Sequence, residues 1–156
     1  MLHADVPGFG RIEASYLVSD FTGTLSRDGA LIRGVAGLFV RLARFLDIRV
    51  LTFDTFGTAA RELRRVPCTV TVLSGERGAE QKQEYLASLG PERSIAVGNG
   101  ANDRLMLSAA RLGIAVIGPE GAAAAAMASA DIVVGDIRSG LELLLYPKRL
   151  MATLRS

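Results

Sequence analysis

Asp20 opens the segment Asp20-Phe21-Thr22-Gly23-Thr24-Leu25, directly after the apolar run Ala14–Ser19. An aspartate leaving a buried strand into a Thr-Gly-Thr turn projects its carboxylate from the sheet edge. There the backbone amides of the turn can bind an anion. Such a carboxylate can attack phosphorus and form an aspartyl-phosphate. The alternative is a helix cap or an Asx-turn, but no helical pattern begins here.

Three further segments carry groups suited to the same chemistry. Thr52-Phe53-Asp54 ends a second apolar run, and a hydroxyl there can hydrogen-bond a phosphoryl oxygen. Asp54 or Thr55 could equally cap the helix that follows. Lys82 stands early in a helical stretch after Gly78, a position from which a cation can neutralise phosphate and the Asp20 carboxylate. Taken alone, it reads as a solvated surface lysine. Gly98-Asn99-Gly100-Ala101-Asn102-Asp103 is a glycine-rich link between a strand and a helix, where glycine permits a sharp turn and close approach to a ligand. The oxygens of Asn99 and Asp103 suit a hard cation such as Mg2+. The alternative reading has Asn102 or Asp103 as a helix cap.

These segments need a frame, and the chain supplies one. Strand-like runs at Ala14–Ser19, Ile48–Thr52, Thr69–Leu73, Ser94–Val97, Ile114–Ile117 and Asp131–Val134 are near-continuously apolar, as in parallel strands covered on both faces. Helical spacing over Gly34–Leu46, Thr55–Arg64, Ala79–Leu89, Asn102–Leu112, Gly121–Ala128, Ile137–Leu144 and Pro147–Leu154 alternates with them. The alternation predicts an α/β fold, a doubly wound, Rossmann-like, mostly parallel sheet. Ligands of such sheets bind beyond the carboxyl ends of the strands, where the polar segments above fall. Gly23–Arg33 breaks the rhythm and reads as a small hairpin turning at Arg27-Asp28-Gly29. It could flap over the site, with Arg27 and Arg33 meeting an anionic substrate, or be a surface turn. No linker divides residues 1–156, so one domain is expected.

Composition narrows the function. With 18 Lys and Arg against 16 Asp and Glu, the net charge of +2 is too small to argue for nucleic acid or a membrane surface. No apolar run approaches the roughly 18 residues a transmembrane helix needs. The single cysteine, Cys68, rules out an internal disulfide and is expected to be a buried, inert thiol. No secretory signal is evident, so a soluble, cytoplasmic protein is expected. His3 is expected in a frayed N-terminus without a role.

Taken in order, the four segments resemble the motifs of the haloacid dehalogenase (HAD) superfamily: an aspartate nucleophile, a Ser/Thr, a Lys and a distal acidic pair. The likeness is greatest to the phosphorylation domain of P-type ATPases and soluble proteins related to it. Asp20–Leu25 matches D-K-T-G-T-L except at Phe21, and Thr52–Ala59 matches T-G-D-N-x-x-T-A except at Phe53 and Thr55. Lys82 matches by position, Gly98–Asp103 matches G-D-G-x-N-D except at Asn99, and within Ala128–Val133 the run Ala130–Val133 matches the A-D-I-V of a following motif.

The resemblance implies a magnesium-dependent phosphatase. Asp20 is the nucleophile, Thr52 and Lys82 hold phosphoryl oxygens, and Gly23, Phe53 and Asp54 lie against the substrate. Asp20, the Thr22 carbonyl, Asn99 and Asp103 hold the metal. The short interval between Leu25 and Thr52 leaves no room for a nucleotide-binding or cap domain, so the site is expected to be open. The substrate is a small phosphorylated molecule or a phosphoprotein, and a homo-oligomer could cover the site. Thr22 replaces the general acid/base aspartate of most phosphatases in the superfamily, a contribution of roughly 10²–10⁴-fold. Asn99 replaces a charged metal ligand. Slow turnover is therefore expected, and a regulatory or interaction module with little or no catalysis is the alternative. A phospho-receiver also uses an aspartate, a threonine and a lysine, but its metal-binding acids precede the phosphorylated aspartate.

Overall fold

The computed structural model describes residues 1–54 and 57–156. Thr55, the first residue of the expected helix Thr55–Arg64, lies outside the described residues. Among the described residues ten strands are formed: β1 Leu2–Val6, β2 Gly10–Ala14, β3 Tyr16–Asp20, β4 Ser26–Arg27, β5 Ala30–Leu31, β6 Asp47–Thr52, β7 Thr69–Val72, β8 Ser94–Gly98, β9 Leu112–Val116 and β10 Ile132–Val134. The α-helices are α1 Val35–Leu42, α2 Thr58–Glu62, α3 Gly78–Leu89, α4 Arg104–Ala109, α5 Ala124–Ser129, α6 Ile137–Leu145 and α7 Pro147–Leu154.

Six strands make one sheet in the order β10-β9-β8-β3-β6-β7, every pair parallel. This is the doubly wound α/β sheet expected from the alternation. Its central strands β8 and β9 are buried along their whole length, which is why they read as unbroken apolar runs. Alternate residues serve opposite faces. Leu17, Val50, Ile95, Val97, Ile114 and Val116 pack with α1 and α6 through Phe39, Leu42, Leu141 and Leu144. Val18, Leu51, Ala96 and Ala115 pack instead with Leu86 of α3, Met106 and Leu107 of α4 and Ala126 of α5. Two alanines on this second face let the helices lie close to the sheet.

From β3 the chain moves outward through β6 and β7, then returns to β8 on the other side of β3. The switch point therefore lies between β3 and β8, where a crevice opens at the carboxyl ends of the strands. No cap domain covers it among the described residues, and the small hairpin forms as expected. β4 pairs antiparallel with β5 across Asp28-Gly29, with φ of 51° and 81°. Positive φ at both positions marks the tight turn that Asp-Gly favours.

The structure corrects two details. Leu2–Val6 and Gly10–Ala14 form an antiparallel hairpin before the sheet, so His3 is strand-paired with Glu13 rather than frayed. Leu2, Ala4, Val6, Ile12 and Ala14 alternate into the core and hold this hairpin down. The expected helix Asn102–Leu112 breaks into a 3-10 turn at Ala101–Asp103 followed by α4, and Leu112 opens β9. Helix α4 crosses β9 so closely that a Cβ at Gly113 would collide with the Leu107 carbonyl. Cys68 is half-buried, and burial pushes its thiol up to about 11, so it stays protonated.

Candidate active site

Three elements converge at the switch point: the turn after β3, the turn after β8 and the first half of α3. The turn after β3 is wound around the Phe21 carbonyl, which accepts from the amides of Thr24, Leu25 and Ser26 at 3.2, 2.9 and 3.1 Å. Phe21 itself is buried, which explains an aromatic residue amid polar neighbours. It anchors the turn from the core side. Gly23 adopts φ 74° beneath Asn99 and Glu120, and a Cβ there would meet the Asn99 amide nitrogen at 2.8 Å. Gly98 serves a similar purpose after β8, since a Cβ would lie 2.5 Å from the Asp103 carboxyl carbon.

Asp20, Lys82 and Asp103 form one buried cluster. Lys82 is fully buried, and its Nζ donates to Asp20 Oδ1 and to Asp103 Oδ1, both at 2.7 Å. The expectation of a cation beside Asp20 thus matches the geometry, and a surface lysine does not. Asp103 Oδ2 accepts from the Asn99 and Gly100 amides at 3.0 and 2.9 Å, which ties the turn after β8 to the same carboxylate. Both oxygens of Asp103 are therefore occupied by protein donors. Oδ1 accepts from Lys82 alone and keeps a second lone pair, so these bonds leave its expected place as a metal ligand open. Thr24 closes the other side: its Oγ1 lies 3.2 Å from Asp20 Oδ2 and 3.0 Å from Asn99 Oδ1. The Asn99 Nδ2 donates to the Gly121 carbonyl at 3.2 Å.

Two carboxylates share one lysine, leaving the cluster one negative charge in excess. Burial, then the neighbouring Asp103, push the Asp20 carboxyl up from 3.8 to about 6, against the opposing pull of Lys82 and Thr24. Burial alone would lower Lys82, but Asp20 and Asp103 outweigh it and raise its pKa, so the ammonium stays charged. A buried cluster of this charge favours a further cation on the open side of Asp20. The oxygens available there are of hard-donor type. Among the described residues, no three of His, Cys, Asp or Glu are grouped closely enough to enclose a metal by themselves. Magnesium does not require such a cage, because it keeps several of its waters.

A cavity of about 380 Å³ opens onto this cluster, lined by Asp20, Thr22, Phe53, Asp54, Asn99, Gly100, Asn102 and Glu120. Most residues expected at the site are thus gathered around it. Thr52 is buried at the end of β6, where its hydroxyl oxygen accepts from the Asp54 amide at 3.1 Å. The N-cap of α2 is Gly57 and not Asp54, but Asp54 Oδ2 accepts from the Ala59 amide of that helix at 2.5 Å and also lines the cavity wall. The Phe53 ring lies 6.0 Å from the Lys82 ammonium, in space left free by Gly78. Two residues were not singled out from sequence. Thr24 carries its signal in the Asp-Phe-Thr-Gly-Thr spacing, whereas Glu120 sits in the loop after β9, where no local pattern marks it.

This architecture recurs in solved structures. The 3-deoxy-D-manno-octulosonate 8-phosphate phosphatase of Moraxella catarrhalis, determined with magnesium, phosphate and the sugar acid, superposes with a TM-score of 0.69 at 17% identity, over 89% of this chain and 90% of that one. The cobalt-bound deoxy-D-mannose-octulosonate 8-phosphate phosphatase of Haemophilus influenzae gives 0.71 at 13%, over 92% and 94%. A phosphoserine phosphatase in its apo form gives 0.67 at 16%, over 86% and 99%. The chain shares the fold of these phosphatases. No family model matches the chain. An uncharacterized protein of Methanocaldococcus jannaschii is 55% identical over 64 residues, 41% of this chain and 69% of that protein. The chain belongs to one family with it. Among the described residues no helix is long and apolar enough to cross a membrane.

Proposed function

We infer that the chain is a magnesium-dependent phosphohydrolase that works slowly through an aspartyl-phosphate on Asp20. The observation that carries this reading is the buried lysine bridging two carboxylates beside an open cavity. A charge cluster of this kind is costly to bury and gains nothing for the fold that apolar residues would not supply. Asp20 attacks the phosphoryl group, and Lys82 stabilises the charge that gathers on the transferred oxygens. The Thr52 oxygen accepts from a backbone amide, leaving its proton to donate to a phosphoryl oxygen. Gly23 lies in the turn beside the same group, while Phe53 and Asp54 bound the substrate. Magnesium fits an all-oxygen set of Asp20, the Thr22 carbonyl, Asn99 and Asp103, and when bound it would neutralise charge on Asp20 and the phosphate. Asp103 also fixes Lys82 and the turn that carries Asn99.

Thr22 cannot serve as general base at neutral pH, and Asn99 brings no charge to the metal, so turnover is slow. The substrate is a small phosphomonoester, with a phosphoprotein the less suited choice for a cavity of about 380 Å³. The lone cysteine fits a reducing cytoplasm. One observation favours a second reading, a regulatory module without efficient catalysis: both polar atoms of the Asn99 amide are already bonded within the protein. Trapping separates the two. Brief incubation with a ³²P-labelled aryl phosphate and acid quench should leave base-labile label on Asp20. Label that persists in Asp20→Asn, or no label at all with magnesium present, rules out the covalent route.

A further inference from the structure

The largest cavity near the site is not the one that holds Asp20. A second, of about 420 Å³, lies between the β4–β5 hairpin, the loop after β9 and the start of α6. Arg27, Arg33 and Arg138 line it together with Ile32, Ile117 and Ile137. The side chains of Arg27 and Arg33 have no hydrogen-bond, ion-pair or ring partner among the described residues, and each residue is exposed. Arg138 is only loosely paired, its Nε 4.0 Å from Asp136 Oδ1, because Asp136 is engaged in capping α6 through Ser139. Its stem lies over Gly34, where a Cβ would come within 3.1 Å of Arg138 Cδ. Glycine at that point lets the side chain lie flat toward the cavity.

No residue lines both cavities, but the loop after β9 borders each of them. Residues 117 to 119 line the arginine cavity and Glu120 lines the Asp20 cavity, so one short loop stands between them. That loop is pressed onto the turn after β3: a Cβ at Gly118 would meet the Gly23 carbonyl oxygen at 2.6 Å. The same turn contributes Thr22 to one side and leads into Arg27 on the other. Both cavities open at the carboxyl ends of the strands, where substrates of such sheets bind.

We propose that the arginine cavity receives a second anionic group of the substrate. The preferred substrate is then a phosphomonoester whose leaving group carries a carboxylate or another phosphate on a short, partly apolar body. Unpaired guanidinium groups suit such planar or tetrahedral oxyanions. The isoleucines cover the carbon skeleton between the two anions. Placing the scissile phosphate over Asp20 rests on the phosphohydrolase reading; the anion preference of the cavity does not depend on turnover.

The test is a binding ratio measured by calorimetry with two non-hydrolysable probes, propane-1,3-bisphosphonate and propylphosphonate. The wild-type chain should bind the bisphosphonate roughly 10- to 100-fold more tightly, the worth of one charge-assisted contact. Arg33→Ala and Arg138→Ala should each bring the ratio toward one, and Arg33→Lys should restore part of it. Circular dichroism of the variants controls for folding. Equal affinities in the wild-type chain, no binding of either probe, or a preference that survives both alanine variants would overturn the proposal. Turnover of an aryl phosphate without the binding preference leaves the phosphohydrolase reading intact and removes this one. A preference without turnover does the reverse.

Discussion

The Nζ of Lys82 lies 2.7 Å from Oδ1 of Asp20, with the lysine withdrawn entirely from solvent. A second carboxylate, Asp103, takes the same ammonium from the other side at the same distance. Removing the lysine would strand two buried carboxylates. Lys82→Met should therefore lower stability by about 3–5 kcal/mol, measured by denaturant unfolding, and turnover should fall by roughly 10²–10³-fold. A variant with wild-type stability would mean that the three charges are not coupled as described.

Asp20 gives the cluster a defined pH response. Its carboxyl is raised from 3.8 to about 6, so the folded protein favours the protonated form more than the unfolded chain does. That contribution to stability is complete below about pH 4 and is lost as pH rises through about 6. Its full size is about 3 kcal/mol. Chemistry runs the other way, because attack needs the ionised carboxylate, and the competent fraction grows through the same window. Asp20→Asn should thus be more stable than wild type at pH 7 and flatter in its stability between pH 4 and 6. The new amide can donate to Thr24 while its oxygen keeps Lys82. Equal pH profiles for the two proteins would show that Asp20 is not the group titrating.

Gly98 marks where backbone shape serves the charges. Its missing Cβ leaves the space that the Asp103 carboxyl carbon fills, 2.5 Å away. Gly98→Ala should push Asp103 aside at a cost of about 1–3 kcal/mol and slow turnover without touching Asp20 directly. Melting temperature and aryl phosphate hydrolysis read both effects together. An alanine variant with unchanged rate would separate the turn after β8 from the chemistry.

Thr22 and Asn99 set the expected rate. Asn99→Asp adds a carboxylate on the open side of Asp20 and should tighten magnesium binding at least roughly ten-fold, one added charge–metal contact. Thr22→Asp should raise turnover by roughly 10²–10⁴-fold, the worth of a positioned general acid/base. Calorimetric titration with magnesium and steady-state rates check the two separately. No gain in the double variant would favour the regulatory reading.

Much of this was legible in the residues. Apolar runs marked the six sheet strands, most fully at β8 and β9, which are buried along their whole length. Asp-Gly marked the hairpin because few residues accept positive φ twice in succession. Asp20, Lys82 and Asp103 announced themselves by type and order. Their meeting did not, since a lysine on α3 looks the same whether it faces water or a carboxylate. The N-terminal hairpin was missed although its residues alternate apolar and polar, because each run is only five residues long. Glu120 was missed because its position depends on Gly118 packing against Gly23, a contact that no local pattern encodes. The arginine cavity was half visible: Arg27 and Arg33 belong to the hairpin, but Arg138 arrives from α6 by tertiary packing.

The measurement closest to the central claim is hydrolysis of an aryl phosphate, with and without magnesium, by the wild-type chain and by Asp20→Asn. The account predicts slow, magnesium-dependent turnover that disappears in the variant while its fold persists. Turnover that survives Asp20→Asn unchanged would contradict it.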